Sequence, residues 1–228
     1  MMRLATWNCC RGPYEKKSAL LDALGADITV IQECARPKAE SDSLLWFGDN
    51  PRQGLAVAAR GDYRLRRVRR ARSVPKYVLP VEVSGPRSFL LFAVWTKTSQ
   101  EHCYVEAAVR AVFLYRKLIA SGPTVFMGDV NSNVIWDHQH PVDRCHTALV
   151  NDLSELGLVS AYHAFFKEAH GKETRPTYYF HWKEAKPFHL DYCFIPKAWV
   201  PALRKVSVEP YEPWKAHSDH RPLAVDIE

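Results

Sequence analysis

The stretch Gly128-Asp129-Val130-Asn131 follows residues 124–127, a short apolar run with β-branched members. Such a run ending at a glycine predicts a buried strand followed by a turn. A carboxylate and a carboxamide two residues apart at the end of that strand can stand at the edge of a sheet on a rigid backbone. The same tetrapeptide also fits a simple Asx turn, in which both side chains bond only their own backbone. Other fragments of the chain help to decide between a functional site and a simple turn.

Length and composition predict one domain over residues 1–228. The chain has 228 residues, of which 47% are hydrophobic, enough for a well-filled core. It has no internal repeat, and no apolar run approaches the length that crosses a bilayer. The first residues enter an apparent strand without the three regions of a signal peptide. We therefore expect a cytoplasmic protein that acts away from membranes, and we expect a monomer.

The net charge bears on the kind of partner, and the cysteines bear on disulfides and metal binding. The formal net charge is +6 and the isoelectric point is near 9.0, which suits a polyanionic partner but also describes many ordinary proteins. The six cysteines form no Cys-x-x-Cys pair, and we expect them to be reduced. Cys9 and Cys34 lie close in sequence to polar candidates, yet their spacing does not favour a zinc site.

Strand, helix and strand follow one another in the first part of the chain. Residues 2–8 predict a strand that delivers Asn8 at its end. Leucines at helical spacing lead to Gly25, a typical helix stop, and residues 27–31 predict a second strand, followed shortly by Glu33. Polar residues at the carboxyl ends of such strands are typical of a sheet edge that carries chemistry. Taken alone, Glu33 is better explained as a solvated residue.

The middle of the chain predicts a meander of strands over residues 54–60, 62–69, 77–84 and 87–95. Within it, residues 64–72 include six arginines. Arginine protects an edge strand from pairing with another chain, so a solvated sheet edge explains the segment. Contact with a phosphate backbone is the alternative.

Two helices are predicted after the meander. Between residues 104 and 120 the apolar side chains fall on one helical face. Tyr104 stands at the start of this helix, where free backbone amides favour an anion such as phosphate. Residues 145–156 predict a second helix, whose role is structural.

The last third alternates aromatic and polar residues. Residues 177–182 and 188–195 have strand character and are joined by a charged turn. Asp191 lies inside the second strand, where an unpaired carboxylate would be costly. His220, which precedes a final strand over residues 223–227, is its natural partner. A carboxylate bonded to one ring nitrogen orients the other nitrogen toward a substrate.

Five fragments together resemble one enzyme superfamily in order and spacing. They are Trp7-Asn8, Gln32-Glu33, Gly128-Asp129-Val130-Asn131, Leu190-Asp191-Tyr192 and Ser218-Asp219-His220-Arg221-Pro222. Over residues 3–227 the chain resembles the endonuclease/exonuclease/phosphatase superfamily, and is closest in character to its exonuclease III and abasic-site endonuclease branch. The resemblance implies a deoxyribonuclease I-like α/β fold, a four-layer α/β sandwich of two facing mixed sheets flanked by helices. It also implies metal-dependent cleavage of phosphoester bonds.

The resemblance assigns a metal site by position. Glu33 matches the carboxylate that holds a divalent cation, with Asn8 and Asp219 near it. Mg²⁺, or alternatively Mn²⁺, is expected because hard oxygen ligands select hard ions. Tyr104 matches a phosphate-contacting tyrosine of the exonuclease III branch, although the strand motif that usually precedes that tyrosine is replaced here. His102 is the alternative to Tyr104.

The resemblance also assigns the catalytic groups. Asp129 matches the residue that orients or deprotonates the attacking water, and Asn131 matches one that helps to hold the phosphate. His220, paired with Asp191, matches the histidine that contacts the scissile phosphate and stabilises its developing charge.

The resemblance implies the reaction but not the substrate, which has to be inferred from residues outside the catalytic set. Tyr178, Phe188 and Leu190 occupy positions that wall the pocket for a base-less sugar in abasic-site endonucleases, and Arg221 is assigned to substrate binding with them. The three pocket residues are explained equally well as the core of a hairpin.

Three functions remain in view. The first is a Mg²⁺-dependent DNA nuclease of the abasic-site endonuclease or 3′-exonuclease type, acting in DNA repair. The second is a phosphatase or phosphodiesterase acting on RNA or a small phosphorylated substrate. The third is a catalytically silent nucleic-acid-binding module, which the intact set of candidate catalytic residues disfavours.

Overall fold

The computed structural model describes residues 1–69, 74–98 and 103–228, and two six-stranded sheets form its centre. The strands are β1 (Met2–Asn8), β2 (Ile28–Cys34), β3 (Leu44–Asn50), β4 (Gln53–Ala59), β5 (Arg64–Arg67), β6 (Val78–Ser84), β7 (Phe89–Trp95), β8 (Thr124–Asp129), β9 (Leu158–Ser160), β10 (Tyr178–Tyr179), β11 (Pro187–Phe188), β12 (Asp191–Pro196), β13 (Leu203–Val208) and β14 (Leu223–Ile227). The α-helices are α1 (Tyr14–Asp22), α2 (Tyr104–Ile119), α3 (His146–Glu155), α4 (Ala161–Phe166) and α5 (Tyr211–Trp214). Short 3₁₀ segments cover Val134–Gln139, Phe180–Trp182 and Lys197–Ala202.

Each sheet is mixed and contains one strand-helix-strand unit. The strand order is β13-β14-β1-β2-β4-β3 in the first sheet and β5-β6-β7-β8-β12-β9 in the second. The parallel pairs are β1 with β2, joined through α1, and β7 with β8, joined through α2. Parallel neighbours need such a crossover connection, and they place their carboxyl ends at the same edge of the sheet. β10 and β11 form a separate two-stranded pair.

Alternating side chains give each sheet two buried faces. In β7, Leu91 packs in the core between the sheets, whereas Phe92 packs with residues of α2 and α3. In β1, Leu4 belongs to the core between the sheets and Trp7 to a cluster that includes Leu21 of α1. The layers are therefore α1, first sheet, second sheet, and α2 with α3. This arrangement confirms the predicted four-layer α/β sandwich.

The structure corrects the predicted hairpin near the end of the chain. The strand predicted over residues 188–195 is two strands, since β11 pairs with β10 while β12 joins the second sheet. Within residues 177–182 only β10 is a strand, because the chain then enters a 3₁₀ segment in which His181 and Trp182 have φ values of 54° and 60°. β3 was not predicted.

The arginine segment lies on an edge strand as far as it is described. β5 is at one edge of the second sheet, and its arginines are exposed. Arg66 bonds Glu82 and Arg67 bonds Glu40, so both side chains have acidic partners on the protein. Residues 70–72 lie outside the described residues.

The cysteines are free thiols. Burial raises the pKa of Cys9 and of Cys34, the latter to about 12, so both thiols are protonated at neutral pH. Among the residues that the structure describes, no helix has the length and apolar character needed to span a membrane.

Candidate active site

Four strand ends bring the predicted polar residues together at one edge of the sandwich. Asn8 ends β1, Glu33 lies near the end of β2, Asp129 ends β8 and Asp191 begins β12. Because β8 and β12 run antiparallel, Asp129 and Asp191 are direct cross-strand partners. The carboxyl ends of both strand-helix-strand units therefore contribute to one polar cluster.

Asn8 connects the two sheets. Its Nδ2 atom lies 2.9 Å from Oδ2 of Asp129 in the second sheet and 3.3 Å from Oε1 of Glu33 in its own sheet. Its Oδ1 atom accepts a hydrogen bond from the backbone N–H of Cys10 at 3.0 Å. The amide nitrogen, not the oxygen, thus faces the carboxylates. In this arrangement Asn8 holds Glu33 and Asp129 through its amide nitrogen, and its role as a metal ligand stays a prediction.

Asp129 and Asn131 form the Asx turn and also face the cluster. The backbone N–H of Asn131 donates to Oδ1 of Asp129 at 2.9 Å, which is the turn contact. The Asn131 side chain donates to Oδ2 of Asp129 at 2.8 Å and to the carbonyl of Thr96 at 3.1 Å. Asn131 has a positive φ of 50°, a conformation that asparagine tolerates better than most residues. The two interpretations of the tetrapeptide are therefore compatible.

Gly128 is required by the close approach of two strands. Its φ is 149°, and a Cβ atom at this position would lie 1.9 Å from the carbonyl oxygen of Val94 in β7. Any side chain here would push β8 away from β7 and displace Asp129 with it. Glycine is thus the residue that lets the strand deliver its carboxylate.

Asp191 and His220 are hydrogen-bonded, as predicted. Nδ1 of His220 lies 2.8 Å from Oδ2 of Asp191, and both side chains are buried. The backbone of Asp191 is held by the hydroxyl of Thr177 at 3.0 Å, and the backbone N–H of His220 donates to Ser218 at 2.9 Å. Each partner of the pair is fixed by its own support.

Burial and neighbouring charge shift the pKa values of this cluster in useful directions. Burial, reinforced by the charge of Asp191, raises the pKa of Asp129 to about 7, against the opposing effects of His220 and Asn8. Burial alone would lower the pKa of His220, but the carboxylates of Asp191 and Asp129 raise it to about 9. At neutral pH the imidazole is therefore charged, while Asp129 can both accept and release a proton.

Glu33 and Asp219 both lie close to Cys10. Burial raises the pKa of the Cys10 thiol to about 11, and the carboxylates of Asp219 and Glu33 add to this effect. Oε2 of Glu33 accepts from Gln53 at 2.9 Å. Glu33 has a φ of 63°, a strained value for a glutamate. Sequence reasoning did not identify Cys10 or Gln53 as neighbours of this site, since neither stands in a recognisable motif.

Tyr104 stands beside the catalytic cluster. It is 45% exposed at the start of α2, and it lines a cavity of about 240 Å³ together with Asn131, Ser132 and Trp136. The cavity brings Tyr104 next to Asn131, and the contact of Tyr104 with a phosphate stays a prediction. His102 lies outside the described residues.

An aromatic wall extends from the cluster. The ring of Tyr178 lies 4.6 Å from that of His220 and 6.4 Å from that of Phe188, and Phe188 lies 5.1 Å from Trp136. Tyr178, Phe188 and Trp136 are each partly exposed. Trp136 was missed from the sequence because it lies in the irregular 3₁₀ segment, where no periodicity marks it.

Two residues assigned to substrate are buried instead. Leu190 is 4% exposed. Arg221 is completely buried, with its guanidinium 4.8 Å from the ring centres of both Tyr179 and Tyr211, and its Nη1 atom donates to the carbonyl of Ser218 at 2.7 Å. Arg221 therefore supports the loop that carries His220, which corrects its assignment to substrate contact.

Comparison with solved structures identifies the fold. The chain has the deoxyribonuclease I-like α/β sandwich, as the resemblance implied. A 3′-5′ exonuclease from Neisseria meningitidis has the same fold with a TM-score of 0.71 and 18% identity, covering 100% of both chains. An AP endonuclease from Archaeoglobus fulgidus aligns with a TM-score of 0.70 and 16% identity, also over 100% of both chains.

A third solved structure is similar to the chain over its whole length. The endonuclease domain of a telomere-specific non-LTR retrotransposon aligns with a TM-score of 0.68 and 16% identity, covering 100% of this chain and 99% of that one. No protein-family model matches the sequence, and no curated protein is similar to it in sequence. The fold therefore carries the likeness.

Proposed function

We propose that the protein is a metal-dependent phosphodiesterase that hydrolyses DNA. The observation that carries this proposal is the buried trio of Asp129, Asp191 and His220, which offer one atom each within 4.8 Å of one another. A carboxyl group with a pKa near neutrality beside a charged imidazole suits proton transfer from water to a leaving group at pH 7.

Each member of the trio has a role that its contacts favour. Asp129 orients the attacking water and accepts its proton. Asn131, which donates to Asp129 at 2.8 Å and to the carbonyl of Thr96 at 3.1 Å, would exchange one of these contacts for the phosphate. His220, held by Asp191 at 2.8 Å, donates a hydrogen bond to a phosphoryl oxygen and stabilises the charge that develops there. Asp191 keeps the imidazole oriented and charged.

Glu33 and Asp219 are the groups that would hold a divalent cation. Their carboxylates are both close to Cys10, and hard oxygen donors fit Mg²⁺ or Mn²⁺. When bound, the cation would polarise the phosphoryl oxygen and offset negative charge. The fixed amide of Asn8, 3.3 Å from Glu33 and 2.9 Å from Asp129, keeps the cation-binding carboxylate and the water-activating carboxylate at a set separation.

DNA is the substrate that the whole molecule favours. The chain carries a net charge of +6, which suits a polyanion. The partly exposed rings of Tyr178, Phe188 and Trp136 beside His220 are suited to a sugar or base turned out of a duplex. Solved structures of the same fold are described as an exonuclease and an AP endonuclease. We therefore place the activity at abasic sites or 3′ ends in DNA repair, carried out by a monomer.

A 3′-phosphatase acting on DNA is the second candidate. One structure of the same fold, with a TM-score of 0.68 and 16% identity, is described as a 3′ phosphatase bound to product DNA hairpin. The same trio would serve, because a 3′ phosphate presents the same phosphoryl oxygens to His220 and to the water beside Asp129.

The experiment compares the activity of the protein on a panel of nucleic-acid substrates. Purified protein is incubated with plain, nicked, abasic-site and 3′-phosphate duplexes, with single-stranded DNA and with RNA, with and without Mg²⁺. We expect Mg²⁺-dependent incision at the abasic site or removal of nucleotides from 3′ ends, and no turnover by Asp129→Asn. Release of phosphate alone would favour the second candidate. Cleavage of RNA alone, or inactivity on every substrate, would refute the DNA proposal.

A further inference from the structure

A second cluster of polar side chains lies away from the catalytic trio. His163 on α4 and His170 and Glu173 in the segment after it each offer one atom, and these atoms all lie within 4.8 Å of one another. His146 at the start of α3 and His189 before β12 lie beside them, with His146 5.5 Å from His170 and His189 6.1 Å from His163 between ring centres. We call these five residues the histidine cluster.

His163 is held in the way that a metal ligand is held. Its Nδ1 atom lies 2.7 Å from Oγ of Ser160, and its Nε2 atom lies 3.1 Å from Oε1 of Glu173. Only 9% of the His163 side chain and 5% of the Glu173 side chain are exposed. The Ser160 hydroxyl holds the ring through Nδ1 and leaves Nε2 directed at the Glu173 carboxylate, so two donor atoms are held side by side by a supporting contact.

The other imidazoles present buried nitrogens that have no partner. Within residues 1–69, 74–98 and 103–228, neither ring nitrogen of His146 has a hydrogen-bond partner, and the same is true of Nδ1 of His170 and Nε2 of His189. His146 and His189 are 0% and 3% exposed. The other nitrogen of His189 lies 3.0 Å from the carbonyl oxygen of Arg175, so its free Nε2 is the atom with a lone pair to offer. Buried polar atoms normally find a partner.

We propose that the histidine cluster is a transition-metal site for Zn²⁺, with His163, His170 and Glu173 as ligands and a ring nitrogen of His146 or His189 as the fourth. Imidazole nitrogens with one carboxylate match the donor preference of zinc. Three imidazoles and one carboxylate close the coordination sphere, which is typical of a structural site. The oxygen-rich pair of Glu33 and Asp219 has a different preference, so the two sites select different ions.

A bound cation would link the segment that carries His170 and Glu173 to the loop that follows Asn131. Nδ2 of Asn133 lies 3.1 Å from Oε1 of Glu173, 3.1 Å from the hydroxyl of Tyr192 and 3.2 Å from the carbonyl of His189. Asn133 follows Asn131 by two residues. A cation held by Glu173 therefore fixes the position of the loop that continues from Asn131, without touching substrate.

Metal content tests the proposal directly. The protein is purified without a histidine tag, loaded with Zn²⁺, dialysed and analysed for zinc, iron, manganese, cobalt and nickel. We expect one zinc per chain, retained by Asp129→Asn because that residue belongs to the other cluster. His170→Ala and Glu173→Gln should each lose it, and Ser160→Ala should weaken zinc binding about 10- to 100-fold, as loss of a supporting contact does. His138→Gln, a change in an exposed histidine, is the matched control.

Two further measurements guard against variants that fail to fold. In the unaltered protein, Co²⁺ should give visible absorption typical of tetrahedral nitrogen coordination, and added Zn²⁺ should displace it. A chelator that removes zinc should lower the Tm, and Zn²⁺ but not Mg²⁺ should restore it. Absence of bound zinc, equal zinc in His170→Ala and the control, or preferential binding of iron would each overturn the proposal.

Discussion

His220 and His146 are both buried histidines, yet at neutral pH the first is charged and the second is neutral. Two carboxylates beside His220 raise its pKa to about 9, although burial opposes this. Burial lowers the pKa of His146 to about 4, and nearby acidic groups offset this only in part. Burial and the charge of its histidine neighbours lower the pKa of His170 to about 3. Burial alone therefore does not decide the charge of an imidazole, because an adjacent carboxylate reverses its effect.

This difference separates two kinds of chemistry in one fold. A charged imidazole donates hydrogen bonds and stabilises an anion, which suits the phosphate of the proposed reaction. A neutral imidazole offers a lone pair, which suits a cation. In the two proposals made above, histidine thus serves an anion in one cluster and a cation in the other.

Removal of a carboxylate from the trio gives the largest expected effect. Asp129→Asn should lower kcat by about 10²- to 10⁴-fold, the range for loss of a general base. Glu33→Gln should also suppress turnover, but raised Mg²⁺ or Mn²⁺ should restore part of it because this change weakens metal affinity. Titration of activity against metal concentration distinguishes the two variants. Equal rescue of both would mean that their roles are wrongly assigned.

Substitution of either member of the Asp191–His220 pair tests whether the two residues act together. Without the Asp191 carboxylate, the imidazole of His220 should be more easily neutral, as the imidazoles of His146 and His170 are. His220→Ala should lower kcat by about 10²- to 10³-fold, as loss of one stabilising donor does. Asp191→Asn should cause a similar loss, and the double variant should lose far less than the product of the two.

The dependence of activity on pH gives a second test of the pair, because the direction of its change is predicted. The charged form of His220 is the proposed active form, so activity should fall as pH rises through about 9. Asp191→Asn removes the largest charge that raises this pKa, so the alkaline limb should move to lower pH. An unmoved limb, or additive losses in the double variant, would show that the two residues do not act together.

Phe188 lies between the two regions and tests the substrate. It contacts Trp136 at 5.1 Å, and it lines a cavity of about 170 Å³ with Asn133, Glu173 and His189. Phe188→Ala should weaken incision at an abasic site by about 10- to 100-fold, which corresponds to roughly 1–3 kcal/mol of stacking. Cleavage of a small unspecific phosphodiester should be nearly unchanged.

A matched aromatic change controls for general packing. Phe113→Ala, at a residue that is 71% exposed on α2, should leave both activities unchanged. An equal loss by Phe188→Ala on both substrates, together with a lower Tm, would identify Phe188 as a core residue and contradict the pocket.

The smallest expected effect is a slope in stability against pH. A histidine whose folded pKa is lowered to about 4 takes up its proton on unfolding below its unfolded value of about 6.5. Stability should therefore fall as pH falls from about 6.5 toward 4. Each such proton contributes about 1.4 kcal/mol per pH unit. The contribution of His220 has the opposite sign, since it is lost as pH rises through about 9.

His146→Leu isolates the acid limb. Urea unfolding in the presence of a chelator should show a shallower dependence on pH below 6.5, by up to one proton, and an unchanged alkaline limb. His138→Gln should change neither limb. An acid limb that His146→Leu leaves as steep as before would mean that His146 is not neutral in the folded protein.

The sequence predicted the convergence of Asp129, Asp191 and His220 better than the residues around them. Asp129 and Asp191 stand at the ends of apolar strands, where periodicity and the cost of a buried charge both mark them. Their convergence follows from two strand-helix-strand units that share one edge, a pattern that is local in sequence. The pairing of His220 with Asp191 followed from the need of each for a partner, and the 2.8 Å contact confirms it.

The remaining features depend on contacts that no local pattern encodes. Arg221 is buried because Tyr179 and Tyr211, from two other segments, enclose it. The histidine cluster is drawn from α3, α4 and two loops, so its members have no metal-binding spacing that would mark them. Short irregular segments bring these residues together, and hydrophobic periodicity predicts such segments poorly.

The hydrogen bond from Asn8 to Asp129 has a consequence for how this protein responds to change elsewhere. It joins one sheet to the other, as does the contact of 3.2 Å from the Gln32 side chain to the carbonyl of Val94. A sheet that slides by one ångström would break both contacts while most of the apolar core between the sheets remained buried. The turnover rate should therefore be more sensitive than the Tm to a small displacement of one sheet against the other. A core substitution far from the site can then abolish activity without unfolding the protein.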